Sequence, residues 1–272
     1  MIIDFHTHIF PDKIAERTIQ YLEKVADSKG FTRGSLDELL ASMKKAGVDI
    51  SVVLPVVTRP EQFASINKFA VEISKRPEII SFGGVHPASE NWKEEIDEIV
   101  QLKLPGIKLH PDYQNAYVDE EETVRVTQYA ISKGLHVVFH SGVDVGFPDP
   151  VHCTPKRAAH LLEQLKAEED YGKVIFAHTG GHEMWDDVIT YLAGKDVYLD
   201  LAFNLGKIPD KKLREIADLH GVDKLLFATD SPWDSQEKDV LYLKKLALFS
   251  EEEKQKIFGE NARRLLKRIQ LS

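Results

Sequence analysis

Residues 2–8 read IIDFHTH: a short apolar run that ends in two histidines separated by one residue. The same design returns at residues 136–140 (HVVFH), 173–178 (KVIFAH) and 224–230 (KLLFATD), each an apolar run closed by histidine or aspartate. Runs of this kind, rich in Val, Ile and Leu, also occur at 50–54, 79–85, 106–109 and 197–201. Such runs are too short for helices and lack polar alternation, as expected of strands buried on both faces. Between them lie segments with apolar residues three and four apart. Leu36, Leu39, Leu40 and Met43 form one such stripe, and Ile66, Phe69, Ala70 and Ile73 another. Ile96, Ile99 and Val100 continue the pattern, as do Leu161, Leu162 and Leu165. Eight strands alternating with helices predict a parallel sheet with helical crossovers. In a chain of 272 residues they predict an α/β fold of the TIM (β/α)8 barrel type, a single domain over residues 1–272. An open doubly wound sheet would alternate similarly, but no GxGxxG or GxxxxGK[ST] follows any strand.

The composition narrows the function classes. Lys+Arg number 35 against 44 Asp+Glu, a formal charge of −9, which disfavours a nucleic-acid partner. The one cysteine, Cys153, leaves no disulfide framework and, having no activating neighbour in the sequence, reads as a bystander. No apolar run approaches the roughly 20 residues that span a bilayer, and no secretory signal is visible. The expectation is a cytoplasmic protein without a membrane partner, acting on a small molecule, with a homo-oligomer left open.

The first gap between strands, from residue 2 to residue 50, is the longest, and its extra length lies in residues 9–34. The connection 142–153 is also long and is built of Gly, Pro and Asp rather than helix formers. Loops that follow barrel strands face the active-site end, so both are expected to wall the substrate. Residues 250–269 read as a helix, with Ser250 as N-cap and Glu253 completing a capping box.

Of eleven histidines, His6, His8, His110, His140 and His178 sit at the C-terminal ends of predicted strands, and Asp230 closes the last strand in the same way. A single histidine there is usually a hydrogen-bonded structural residue. The set is different: if the strands close, these ends converge on one rim. Alternation predicts that His6 and His8 share a face, with Asp4 one layer deeper, either orienting an imidazole or buried with a purely structural partner. Neutral imidazole nitrogen and carboxylate oxygen suit a divalent cation, zinc first, with manganese or iron as alternatives.

FHTH at 5–8, the histidine ending the fifth strand, AHTGG at 177–181 and ATDSPW at 228–233 resemble the metal-dependent amidohydrolase superfamily. More narrowly, they are similar to its amidohydrolase-related branch (amidohydrolase 2), which includes decarboxylases and lactonases on a TIM barrel. The resemblance implies His6, His8, His140 and Asp230 as metal ligands, with His178 orienting or polarising water or substrate. Binuclear relatives carry a bridging carboxylated lysine on the fourth strand. Here GIKLHP (106–111) offers Lys108 and His110 on one face, and HP resembles the mononuclear type better. We therefore expect one metal, with Lys108 and His110 as substrate contacts. A related nuclease family shares HxH and GxHP (84–87, with His86), but its fourth-strand glutamate is missing from 106–111.

A divalent ion brings the pKa of bound water from 15.7 to about 7. Asp230 is the candidate general base and His178 the stabiliser of negative charge, which gives hydrolysis of a C–O or C–N bond beside a carbonyl. The alternative is non-oxidative decarboxylation of an aromatic or cyclic acid at the same ligands. For that reaction Arg59 (VVTRP, 56–60) would pair with a carboxylate, and Trp233 and Phe147 would stack on a ring. A non-catalytic barrel is the third class, and the filled ligand positions speak against it. Of the remaining histidines, His182 is expected at a helix start, with the rim as its alternative place, His136 at the opposite end of the barrel, and His160 and His220 facing solvent.

Overall fold

The computed structural model describes residues 1–147, 150–165 and 173–270. The barrel staves are β1 (Ile3–Thr7), β2 (Ile50–Val53) and β3, which runs Ile79–Ser81 and resumes at Gly83–Gly84. They continue with β4 (Gly106–Leu109), β5 (His136–Phe139), β6 (Val174–Phe176), β7 (Tyr198–Asp200) and β8 (Leu225–Leu226). All pairings are parallel and follow chain order. β3 changes partner part-way: Ser81 pairs with β2, and Gly83 pairs with β4. The amide of Phe82, between them, donates to Val53 O at 2.9 Å.

Closure comes from the chain just beyond β8. Phe5 N donates to Phe227 O at 2.9 Å, Asp230 N to His6 O at 2.8 Å, and Thr7 bridges Ser231 in parallel. These bonds bring the HxH segment and Asp230 side by side.

Helices follow the staves as the apolar stripes dictate: α1 (Asp12–Ala26), α2 (Leu36–Ala46), α3 (Phe63–Ile73), α4 (Trp92–Gln101) and α5 (Glu121–Ser132). Then come α6 (Pro155–Gln164), α7 (Trp185–Asp187, running into a π-turn over Val188–Leu192), α8 (Asp210–His220) and α9 (Gln236–Lys245). Oxygen side chains stop several helices at their starts. Ser35 accepts from Glu38 N, Thr154 from Arg157 N, and Ser235 from Lys238 N. Ser250 and Glu253 form the expected capping box. The helix they open is α10 (Glu251–Gln255), a π-turn (Lys256–Glu260) and α11 (Asn261–Gln270). Two apolar clusters result. The larger lies between staves and helices; the smaller joins Ile3, Phe5, Val52, Phe82 and Val138 to Leu265 of α11, which packs against one end.

Three expectations are corrected by the structure. Pairing of β1 with β2 shifts between Asp4 and Thr7, so simple alternation fails there. Asp4 does not lie beneath His6 in the site, and of its two expected roles it takes the structural one: it accepts from Thr229 Oγ1 at 2.6 Å and from Gln236 Nε2 of α9 at 2.8 Å. His220 does not face solvent. It is buried on the stripe Leu213, Ile216, Ala217, His220, and its Nε2–H donates to Val197 O at 3.0 Å. His182 does not open a helix. It pairs with Gly142 in an isolated bridge, made possible because Gly142 has φ +84° and any Cβ there would overlap the backbone of His182. His160 is exposed and pairs with Asp119, whereas His136 is buried at the start of β5. Among the described residues no helix is long and apolar enough to cross a membrane.

Candidate metal and active site

A cavity of about 760 Å³ opens where the loops after the staves gather. His6, His8, Lys108, His110, His140, His178, Asp230 and Trp233 all line it, as do Phe147 and His182. Arg59 does not. Its side chain is exposed and its amide donates to Gln62 Oε1 at the start of a short turn, so the direction of the chain after β2 carries the guanidinium away from the cavity. The two long connections contribute as their lengths suggest: α1 and residues 9–11 form one wall, and Val143 to Val145 with Phe147 form another. Residues 148 and 149 of the second connection lie outside the described residues.

Hydrogen bonds fix which nitrogen of each imidazole carries its proton. His6 Nδ1 lies 2.8 Å from Asp200 Oδ2, and His8 Nδ1 lies 2.9 Å from the Leu54 carbonyl. Both partners only accept, so both protons sit on Nδ1 and both Nε2 atoms present lone pairs. Those two Nε2 atoms are 3.0 Å apart, and Asp230 Oδ1 lies 3.3 Å from one and 3.2 Å from the other. Two lone pairs and a carboxylate converging on one point, with Lys108 Nζ as a donor to one side, form a set suited to surround a cation. His178 adds to it: its Nδ1–H donates to Ala202 O at 3.0 Å, and His6, His178 and Asp230 offer atoms within 4.8 Å of one another.

His140 stands next to this group, joined to it by a 2.9 Å contact between its Nδ1 and His178 Nε2. Its own Nε2 is buried and finds no hydrogen-bond partner among the described residues. A second group, His110, His140 and Asp144, also lies within 4.8 Å. It differs in kind. His110 Nδ1 accepts from Tyr113 N, so Nε2 carries the proton and donates to Asp144 Oδ2 at 3.3 Å, which satisfies the pair internally. The donor set therefore fits one divalent ion at His6, His8 and Asp230, with His178 and His140 within reach.

Charge follows the same logic. Burial pushes the pKa of His6 and of His140 well below the ordinary imidazole value, and that of His178 below it; the Lys108 ammonium adds to each shift, while Asp230 works against it at His6 and His178. They are neutral donors. Burial alone would raise Asp230, but the imidazoles of His8, His6 and His178 gathered around it favour the ionised carboxylate and hold it below the usual carboxylate range. Lys108 is fully buried, its Nζ 3.4 Å from His6 Nε2. Burial brings it down to about 8, against the pull of Asp200 and Asp230. Burial raises the Cys153 thiol, consistent with an inert side chain.

The backbone is strained where the chemistry gathers. His178, Thr179 and Asp230 have φ of 57°, 58° and 68°, a region that non-glycine residues seldom adopt. It turns both functional side chains out of the strand direction and over the barrel mouth.

Several site residues carried no clear mark in the sequence. Asp200 is the buried acid that orients His6, the role that strand alternation suggested for Asp4. Its signal was an acid inside an otherwise apolar run, VYLDL. Tyr113 stacks on His110 at 3.9 Å between centroids, and His110 on His140 at 4.1 Å. Asn204 accepts from, or donates to, its neighbours on both sides: its Oδ1 lies 2.7 Å from His182 Nδ1, and its Nδ2 donates to Thr179 Oγ1.

Comparison with solved structures agrees with the barrel. An uncharacterized TIM-barrel protein from Bordetella bronchiseptica superposes with a TM-score of 0.75 at 18% identity, covering 99% of each chain. A 5-carboxyvanillate decarboxylase from Sphingomonas paucimobilis gives 0.70 at 15% identity, covering 98% of each chain. A dihydroxybenzoic acid decarboxylase from Polaromonas sp. JS666, solved with manganese and 2-nitroresorcinol, gives 0.71 at 16% identity, covering 98% of this chain and 96% of that one. No curated protein matches by sequence. The amidohydrolase family model matches residues 3–268, nearly the whole length. With the HxH of β1, the barrel it stands on and a profile match of that extent, the chain belongs to the amidohydrolase family.

Proposed function

We propose that this protein is a divalent-metal-dependent hydrolase that adds water to a small molecule at a carbonyl and releases a C–O or C–N leaving group. The observation that carries the reading is the convergence of the His6 and His8 lone pairs, 3.0 Å apart, beside the ionised Asp230. His6, His8 and Asp230 would hold the ion, with His178 or His140 as a further ligand. When bound there, a divalent cation supplies Lewis acidity and makes water acidic enough to lose a proton near neutrality.

The chain's own groups do the remainder. An Asp230 oxygen takes the proton from the attacking water and returns it to the leaving oxygen or nitrogen, so the carboxylate ends as it began. His178 stands beside Asp230 with its Nδ1–H held by Ala202 O, so its Nε2 lone pair would orient water or join the ion's ligands, and the buried Lys108 ammonium is the donor placed to stabilise negative charge on the carbonyl oxygen. Lys108 and His110 line the same floor and would orient the substrate's polar atoms. Zinc is our first choice of ion, with manganese or iron as the alternatives; a fold relative has been solved with manganese.

A second reading, non-oxidative decarboxylation, draws on two observations. The Tyr113–His110–His140 stack offers a flat wall, with Trp233 and Phe147 also in the cavity, and several of the fold relatives, both enzymes named above among them, are decarboxylases. One experiment separates them. Metal-loaded protein is assayed against a panel of lactones and esters for ring-opening or acid release, and against hydroxybenzoates for released CO2. Acid release without CO2, lost on chelation and in Asp230→Asn, is the expected result. CO2 release selects the second reading. Turnover that survives complete metal removal refutes both.

A further inference from the structure

The cavity is divided chemically in a way the metal site does not require. Its floor carries the imidazoles, Lys108, Asp144 and Asp230. The opposite wall comes from α1 and α3 with Phe10, and there the facing side chains include Phe10, Ile14, Leu22, Val25, Ile66 and Phe69. Lys13 is the one charged side chain those two helices contribute to the lining among the described residues.

α1 shows why this wall is a surface for a ligand and not surplus core. Ile14, Thr18, Tyr21 and Val25 recur at intervals of four, three and four, which puts them on one face of the helix. In a helix that packs on protein, such a stripe is the buried one. Here the fully buried residues of α1 are Ala15 and Ile19, on the adjacent face, while Ile14 and Val25 each keep 38% of their surface exposed. The stripe lines the cavity; Val25 lies near Gly146 of the 142–153 connection, and Ile14 and Tyr21 stay exposed. A volume of about 760 Å³ is well beyond the needs of a single small ring seated over the metal ligands.

We propose that the substrate is amphiphilic: a polar, metal-binding head seats over His6, His8 and Asp230, and an alkyl chain or second ring extends along the Ile14–Val25 face of α1 towards Ile66 and Phe69. This rests on the metal-site reading for the head and on the α1 wall alone for the tail. Burial of the tail supplies binding energy remote from the reacting atoms and selects against small hydrophilic acids.

The probes are n-alkyl hydroxamic acids, from acetohydroxamic to decanohydroxamic acid, whose chelating head binds a divalent ion whether the enzyme hydrolyses or decarboxylates. Dissociation constants are measured by calorimetry on the zinc-loaded protein. Affinity is expected to rise about fourfold per methylene until the chamber is filled, then level off. Ile14→Gln and Val25→Gln, at positions exposed enough to tolerate a polar side chain, should flatten that slope for the longer members.

A parallel series of n-alkanols, read by thermal shift on metal-free protein, should show the same dependence on chain length. Short hydroxamates that bind regardless of metal would refute the metal site and leave the tail wall standing on the alkanol series. Affinity independent of chain length in both series, or a slope that the two α1 variants do not change, would overturn the proposal.

Discussion

Replacing Asp200 by asparagine changes one carboxylate oxygen to an amino group, at a point where three donors compete for the two oxygens. Asp200 Oδ1 accepts two backbone amides, His178 N at 2.9 Å and Ala202 N at 3.1 Å, while Oδ2 accepts His6 Nδ1–H at 2.8 Å. An asparagine has one oxygen for these three donors. If the oxygen stays with the two amides, the new NH2 faces His6 Nδ1. The imidazole proton must then move to Nε2, which destroys the lone pair aimed at the cation. If the amide turns over, His6 keeps its tautomer, but two buried N–H groups face an NH2, at about 1–3 kcal/mol for each donor left unsatisfied.

Either way the state able to hold metal is disfavoured. Loss of such an orienting partner typically lowers metal affinity by about 10- to 100-fold, which is about 1.4–2.7 kcal/mol. The assay is a chelator-competition titration with zinc, run beside thermal melts of metal-free and loaded protein. The expected outcome is a weaker zinc affinity in that range and a smaller metal-induced rise in Tm, and 15N NMR should report the changed His6 tautomer. A variant that binds zinc as tightly as the parent, with His6 still protonated on Nδ1, would refute the argument.

Two further predictions concern stability. Asp239 is buried and neither carboxylate oxygen has a hydrogen-bond partner among the described residues; burial, with Asp234 nearby, raises its pKa from 3.8 to about 8. Its folded pKa lies above the unfolded one, so stability is fullest below pH 4 and falls as pH rises towards 8. Asp239→Asn should therefore stabilise the fold at pH 7, with a linkage ceiling of about 4 kcal/mol. The gain should vanish by pH 4, and denaturant melts across that range that show no pH-dependent difference would count against it. Gly142→Ala forces a side chain into the left-handed region and against the His182 backbone. It should cost at least about 1–3 kcal/mol, read as a lower Tm, and a melt matching the parent would mean the loop relaxes freely.

Much of the architecture was legible because parallel barrel strands are buried on both faces. β4 and β5 fall on the apolar runs 106–109 and 136–139, and the chemistry follows where each run stops. What escaped was set by partners distant in sequence. Alternation put Asp4 beneath His6, but the register shift in β1 and the arrival of Thr229 and Gln236 gave it a structural role. Asp200 took the orienting role because its carboxylate, carried by β7, reaches His6 Nδ1 of β1 at 2.8 Å across the mouth. His182 required knowledge of a bridge to Gly142, forty residues earlier. His220 is a different matter: Leu213, Ile216, Ala217 and His220 make a helical stripe, so its burial could have been read directly. Arg59 follows a strand as a site residue should, yet the turn after it aims the side chain elsewhere.

The slight anchoring of α1 has an evolutionary corollary. Ala15 and Ile19 are the buried residues of the helix, Ile19 beside Gly30 and Gly34, while Ile14, Tyr21 and Val25 face the cavity and keep more than a third of their surface exposed. Mutations there can be accepted one at a time without disturbing the histidines and aspartate of the barrel mouth or the staves beneath them. A lineage carrying this scaffold could thus move between diets by redrawing a single helix, and divergence among its descendants should concentrate along that one face.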